Sequence, residues 1–353
     1  MTADMKKIIS KLLEKRSLSV DEYEYIIKNR DSDSYGILQA EAIKLRKMIY
    51  GNKIYIRGLI EISNYCKNDC LYCGIRKSNK FCERYRLSEA EILSCCDNGY
   101  KLGFRTFVLQ SGEDAFLTDA FMCSLIKKIK LKYPDCAVTL SLGERSKESY
   151  RSLYASGADR YLLRHETADS EHYSLLHPED MSLRTRLDCL KNLKDIGFQV
   201  GCGMMTGSPF QTERALAEDL KFIEVFKPDM CGIGPFIPHK DTPFRNEKKG
   251  EAELTCSLLA IIRIIRPNIL LPSTTAMGTV AQNGREEGIL ASANVLMPNL
   301  SPVNVRDKYS LYDNKLTSGA ESAEKLYELK ERMKNIGYEI VCDRGDIIKE
   351  KEI

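Results

Sequence analysis

Ile54-Tyr55-Ile56-Arg57-Gly58-Leu59-Ile60-Glu61-Ile62 leads directly into Ser63-Asn64-Tyr65-Cys66-Lys67-Asn68-Asp69-Cys70-Leu71-Tyr72-Cys73-Gly74. The first of these stretches is mostly apolar and of strand length, so it reads as a buried strand. The second is a polar loop with three cysteines spaced C-x3-C-x2-C. Three thiolates this close together bind a soft metal or an iron-sulfur cluster. Structural zinc wants four protein ligands, and the next cysteine, Cys82, has no partner at zinc-like spacing. A 4Fe-4S cluster held by three cysteines instead leaves one iron open to a cofactor. Chance clustering in a cysteine-rich chain is the bland alternative.

Outward from this loop, apolar runs of strand length alternate with amphipathic helical stretches, the pattern of repeated βα units. The predicted strands cover 54–62, 106–110, 137–141, 160–163, 199–204, 230–233, 270–272 and 294–297. Helical stretches over 89–102, 120–132, 183–196, 215–226 and 254–265 separate most of them. Eight such units predict an α/β fold, a (β/α)8 TIM-type barrel, over 53–312. Residues 1–52 read as an N-terminal helical extension, with a turn at 29–34 and a second helix over 38–49. Residues 313–353 read as a C-terminal helical segment packed on the barrel, with its helix over about 320–337.

With 53 basic and 50 acidic side chains the net charge is only +3, which gives no field for nucleic acid or an anionic membrane. The N-terminus has no signal-peptide pattern and no segment has bilayer-spanning length, so a cytoplasmic protein is expected. The 13 cysteines are odd in number and thinly spread, unlike a disulfide framework. Those outside the loop fall mostly on predicted helices and strands, as small packing residues. The near-neutral charge and the lack of heptads favour a monomer.

Barrel ligands bind at the C-terminal ends of the strands. Those ends read Gln110-Ser111-Gly112-Glu113-Asp114, Thr139-Leu140-Ser141-Leu142-Gly143-Glu144 and Leu163-Arg164-His165-Glu166-Thr167. Singly, each charged residue here is an ordinary loop group; on successive strand ends they form a candidate site. His165 is one of four histidines and reads as structural, not as a base. The run Gly201-Cys202-Gly203-Met204-Met205-Thr206-Gly207 does not match G-x-G-x-x-G and suits close approach of a cofactor better than a Rossmann site.

The C-x3-C-x2-C loop with Tyr72 before its last cysteine resembles the signature of the radical S-adenosylmethionine (SAM) superfamily. That resemblance implies one 4Fe-4S cluster on Cys66, Cys70 and Cys73, with SAM on the open iron. One electron then yields methionine and a 5'-deoxyadenosyl radical, and no catalytic residue is needed beyond cluster and cofactor. Longer strings resemble the HydE family of FeFe-hydrogenase maturases: 108–114, 161–168, Gly232 to His239, Thr274 to Thr279 and Ala293 to Asn299. The resemblance implies that Tyr72, Gln110, Gly112, Glu113, Thr139, Ser141, Arg164, Glu166 and Arg186 bind the cofactor. It implies that Met230, Thr274, Thr275, Ala276, Met277, Tyr309 and Tyr312 line a closed cavity for a small anionic iron complex. A ferredoxin or flavodoxin as electron donor and the other hydrogenase maturases are the implied partners. Some members of the family hold a second cluster near the C-terminus; here no cysteine lies between Tyr312 and Cys342, so a single cluster is expected. A radical mutase of the methylornithine synthase type or a sulfur-insertion enzyme like biotin synthase is the alternative, and the strand-end strings decide against it.

Overall fold

A computed structural model describes residues 1–317 and 319–349. Eleven strands occur among them: β1 Lys53–Ile56, β2 Gly58–Ser63, β3 Thr106–Ser111, β4 Ala137–Ser141, β5 Arg160–Leu162, β6 Gln199–Cys202, β7 Met205–Thr206, β8 Met230–Cys231, β9 Gly234–Pro235, β10 Val295–Leu296 and β11 Glu339–Val341. Every pairing between them is parallel. β2 is buried along its whole length, as a strand covered on both faces must be.

The main sheet runs β2-β3-β4-β5-β6-β8. A parallel bridge Met230↔Leu270 carries the ladder to the 270–272 segment, and Pro272↔Val295 carries it on to β10. β10 pairs with β1, which continues into β2 across Arg57. The ring thus closes over the eight predicted strands. The seventh is reduced to bridges, and the fifth and sixth are each broken in two, with β7 and β9 paired beyond the break.

The outer helices begin where a hydroxyl can cap them. Ser88, Thr118, Ser146, Ser182 and Thr212 each accept a hydrogen bond from a backbone N–H of the first turn. Helix Leu183–Ile196 stops at Gly197, which takes the left-handed conformation. Five short helices, Lys147–Ala155, Ser170–Leu176, Thr275–Val280, Gly284–Leu290 and Val303–Arg306, were not expected; most are too short to show a period.

The N-terminal extension comprises three helices, Ala3–Lys15, Val20–Lys28 and Ser32–Tyr50. The third starts inside the predicted turn because Asp31 and Ser34 form a reciprocal cap. The C-terminal segment differs from the expected helical one. Its helix, Leu326–Asn335, is followed by β11, which pairs with β1. The tail then crosses the floor of the barrel, where the Arg344 carbonyl accepts from Thr106 Oγ1 at 2.7 Å and Arg160 Nη2 at 2.9 Å. Among the described residues no helix is long and apolar enough to cross a membrane.

Candidate active site

The cysteine loop leaves the end of β2 and is fastened mainly through its backbone. Glu113 N–H donates to Cys66 Sγ at 3.4 Å, and Lys67 N–H donates to the Glu113 carbonyl at 2.9 Å. Leu71 N–H reaches the Leu176 carbonyl at 3.0 Å and Gly74 N–H the Leu311 carbonyl at 2.8 Å. Arg84 staples the loop from below, donating to the carbonyls of Asn64, Ile75 and Arg76 at 2.5, 2.8 and 2.6 Å. Gly112 has to be glycine, since a Cβ there would sit 2.3 Å from the Tyr65 carbonyl oxygen and 2.7 Å from Cys66 Cβ.

The three thiols lie close enough to act on one another's charge. Burial, and then the proximity of Cys73 and Cys66, pushes the Cys70 thiol well above its ordinary pKa. Burial, with Cys66 beside it, raises Cys73 to about 12. Cys66 is raised by burial as well. Among the described residues no three His, Cys, Asp or Glu side chains are grouped to hold a single metal ion.

Several polar side-chain atoms have no hydrogen-bond partner among the described residues. Thr139 Oγ1, on buried β4, has none, and neither has Thr274 Oγ1 or the Tyr173 hydroxyl. Arg164 Nη2 lies 3.1 Å from Glu166 Oε2, too poorly aligned for a hydrogen bond, so both atoms remain unsatisfied. Glu166 adopts a left-handed φ of 68°, a costly backbone for a non-glycine residue. Buried polar atoms are almost always satisfied, so such groups are free to take a ligand or an ordered water. A cofactor with carboxylate, amine and hydroxyl groups matches this donor and acceptor set, so the residues present fit SAM beside a three-cysteine cluster.

The remaining predicted residues are tied to the same rim. Arg186 donates to Glu144 Oε1 at 2.5 Å and to the Arg164 carbonyl at 2.7 Å. Gln110 donates to the Tyr309 hydroxyl at 3.4 Å and stands in register with Ser141. Glu113 accepts from Glu144 N–H at 2.9 Å and pairs with Lys67 at 3.1 Å. Tyr72 donates to His177 Nε2 at 3.2 Å, while His177 Nδ1 donates to the Tyr173 carbonyl at 2.9 Å. Burial holds His177 down at about 4, so it is a neutral acceptor.

The residues expected to line a cavity are less uniform. Tyr309 and Tyr312 lie on the segment that packs over the loop, and Thr274 faces Gly234. Ala276 is buried beside it. Thr275 is engaged in a buried network with Arg285 and Glu321, and Met277 packs into the main core. Met230 lies at the other end of the barrel, among Tyr50, Tyr55, Leu270 and Val295, with Arg57 Nη1 at 2.8 Å from its sulfur. Glu61 was missed. It is wholly buried, paired with Lys315 at 2.5 Å and accepting from Asn299 at 2.9 Å. A carboxylate inside an apolar strand was its available signal.

The Radical SAM superfamily profile matches residues 60–223. The [FeFe] hydrogenase maturase subunit HydE of Thermotoga maritima is 46% identical over 275 residues, covering 78% of this chain and 78% of that one. The chain belongs to the HydE family of radical SAM enzymes. The 3-methylornithine synthase of Methanosarcina acetivorans is 26% identical over 318 residues, 89% of each chain. The crystal structure of methylornithine synthase PylB superposes with a TM-score of 0.82 at 22% identity, covering 95% of this chain and 97% of that one, which supports the barrel. As a HydE-family member the chain is an enzyme that cleaves SAM with an iron-sulfur cluster.

Proposed function

We propose that the chain acts in maturation of an [FeFe]-hydrogenase, holding one 4Fe-4S cluster on Cys66, Cys70 and Cys73 and using SAM on a small anionic iron-containing substrate. The observation that carries this reading is that Glu166, whose Oε2 and neighbouring Arg164 Nη2 lack hydrogen bonds, lies close enough to Cys70 and Cys73 to act on their charge. Cluster and SAM together supply reductive cleavage to methionine and a 5'-deoxyadenosyl radical.

The chain's own residues bind, orient and exclude. Arg164 and Arg186 offer guanidinium donors for a carboxylate. Glu166 and Glu113 offer acceptors for an amine, and Thr139 and Ser141 offer hydroxyls. Tyr72, fixed by His177, covers the loop between Cys70 and Cys73. The segment carrying Tyr309 and Tyr312 lies over the mouth, with Lys315 inserted onto Glu61, keeping water from the reacting groups. Thr274, Thr275 and Ala276 stand on the substrate side. The absence of any cysteine between Tyr312 and Cys342 supports a single cluster. A monomer in the cytoplasm, reduced by a ferredoxin or flavodoxin and delivering to the other maturases, completes the proposal.

The test is anaerobic reconstitution with iron and sulfide, then SAM and dithionite. The proposal expects 5'-deoxyadenosine in wild type and none in Cys70→Ala, and loss of hydrogenase activation in cells carrying that variant. A wild-type protein that binds zinc and releases no 5'-deoxyadenosine would overturn it.

A further inference from the structure

The residue between the two rim side chains Arg164 and Glu166 points the other way. His165 is fully buried, with its ring over Phe222 at 4.6 Å between centroids. Its Nδ1 accepts from Gly203 N–H at 3.3 Å, which places the proton on Nε2, and Nε2 faces Asp219 Oδ1 at 3.1 Å. Asp219, on helix Glu213–Phe226, is also fully buried. The same Oδ1 accepts from Ala168 N–H at 2.6 Å, beyond the other end of the rim loop. Asp219 Oδ2 has no hydrogen-bond partner.

The glycine-rich strand end closes the arrangement. Gly203 gives its N–H to His165 and takes the Glu166 N–H on its carbonyl at 2.9 Å. A Cβ on Gly203 would lie 2.1 Å from the Gly232 carbonyl oxygen and 3.2 Å from Arg164 Cγ, so only glycine lets the loop lie there. One buried carboxylate therefore ties down both sides of Glu166, whose φ of 68° needs outside support.

We propose that Asp219 and His165 are a buried positioning pair that holds the 163–168 loop so that Arg164 and Glu166 face the cofactor. Neither touches the cofactor; both act through the backbone. The pair rests on the reading of this rim as the SAM site.

The experiment measures SAM affinity on the reconstituted enzyme from the change SAM causes in the electron paramagnetic resonance spectrum of the reduced cluster, alongside iron content and melting temperature. Asp219→Ala and His165→Phe, the second keeping a ring over Phe222, are expected to weaken SAM binding by about tenfold or more, the scale of a buried charged hydrogen bond. Iron content and the spectrum without SAM are expected to stay as in wild type. Asp219→Asn can still accept both donors on Oδ1 and is expected to remain within about threefold of wild type. That recovery separates geometry from mere filling of space. Wild-type SAM affinity in both His165→Phe and Asp219→Ala would overturn the positioning pair, as would equal loss in Asp219→Asn. Absence of any SAM-induced change in wild type would instead overturn the site reading beneath it. Should Asp219→Ala fail to fold, His165→Phe and Asp219→Asn decide the matter.

Discussion

The two ends of the barrel treat their arginines in opposite ways, one fully buried and the other a third exposed. At the floor, Arg160 is fully buried, yet the chain answers it: Thr106 Oγ1 accepts at 2.9 Å, Gln199 Oε1 at 3.2 Å, the Arg344 carbonyl at 2.9 Å, and Asp346 pairs with it. Arg344 in turn pairs with Asp159 and Asp346. At the rim, Arg164 has only a misaligned Glu166; Thr139, mid-strand beside Arg160, has no hydrogen-bond partner among the described residues. A charge that its own tail satisfies contributes to folding; one left wanting is reserved for a ligand. The division is one of degree, since Arg46, Arg57 and Arg263, all buried, also keep side-chain nitrogens without a hydrogen bond.

The largest break in this contrast comes from the rim. Cys70→Ala is expected to abolish SAM cleavage, read as loss of 5'-deoxyadenosine, while the urea midpoint of the metal-free protein stays near wild type. Next comes the floor. Arg160→Ala strips a partner from Asp346 and removes the donors to Thr106 Oγ1, Gln199 Oε1 and the Arg344 carbonyl, so it is expected to lower stability by about 3 kcal/mol. That figure is modest for a buried pair because Asp346 is partly exposed. Denaturant titration gives the loss, and SAM affinity of the surviving folded protein is expected to be unchanged. If Arg160→Ala weakens SAM binding as strongly as it destabilises the fold, the two ends are not separable.

The same contrast explains what could be read from sequence. The rim was legible because its chemistry is local: three cysteines within a single loop, and charged residues clustered at the ends of apolar strands. The strands were legible wherever several buried residues run together, as in β2 and β3. The floor was not, because its partners lie far apart in sequence; nothing in Arg344-Gly345-Asp346 announces Arg160, 184 residues away from Arg344. Glu61 and Lys315 meet across a comparable gap, and the lone carboxylate gave no hint of its partner. Met230 was assigned to the cavity through family resemblance, with no signal of height along the strand. The broken fifth and sixth strands escaped because glycines at 201, 203, 207, 232 and 234 blur the pattern on which strand ends are read.

A smaller effect separates the ends by pH. His177, buried under Tyr72 at the rim, is held at about 4 against an ordinary value of 6.5. Between those values the unfolded chain binds a proton that the folded chain refuses. Stability is therefore full above about pH 6.5 and declines as pH falls toward 4, by at most ~3 kcal/mol from this group. His177→Gln is expected to flatten that part of the curve in urea melts at pH 7 and 4.5, and Arg160→Ala is expected to leave it unchanged. An identical slope in His177→Gln would remove the histidine from the account.

The smallest effect is the sharpest. Thr139 is 2% exposed on β4, and its hydroxyl has no acceptor and no donor among the described residues. Valine has nearly the same shape, so Thr139→Val removes an unsatisfied polar group without opening a cavity. Were the hydroxyl structural, the change would destabilise. Were it held for a ligand, the cofactor-free protein should become more stable by ~1 kcal/mol while SAM binding weakens about five- to tenfold, the value of one hydrogen bond. Opposite signs from one methyl-for-hydroxyl exchange cannot arise at the floor, where removing Thr106 Oγ1 breaks bonds already made to Arg160 and the Arg344 carbonyl. Thermal melts without SAM and affinity measurements with it, run on Thr139→Val and Thr106→Val side by side, therefore test the contrast at one free hydroxyl and one engaged hydroxyl. Destabilisation in both would mean that the Thr139 hydroxyl already has a partner, and the reservation of unsatisfied groups for the cofactor would fail with it.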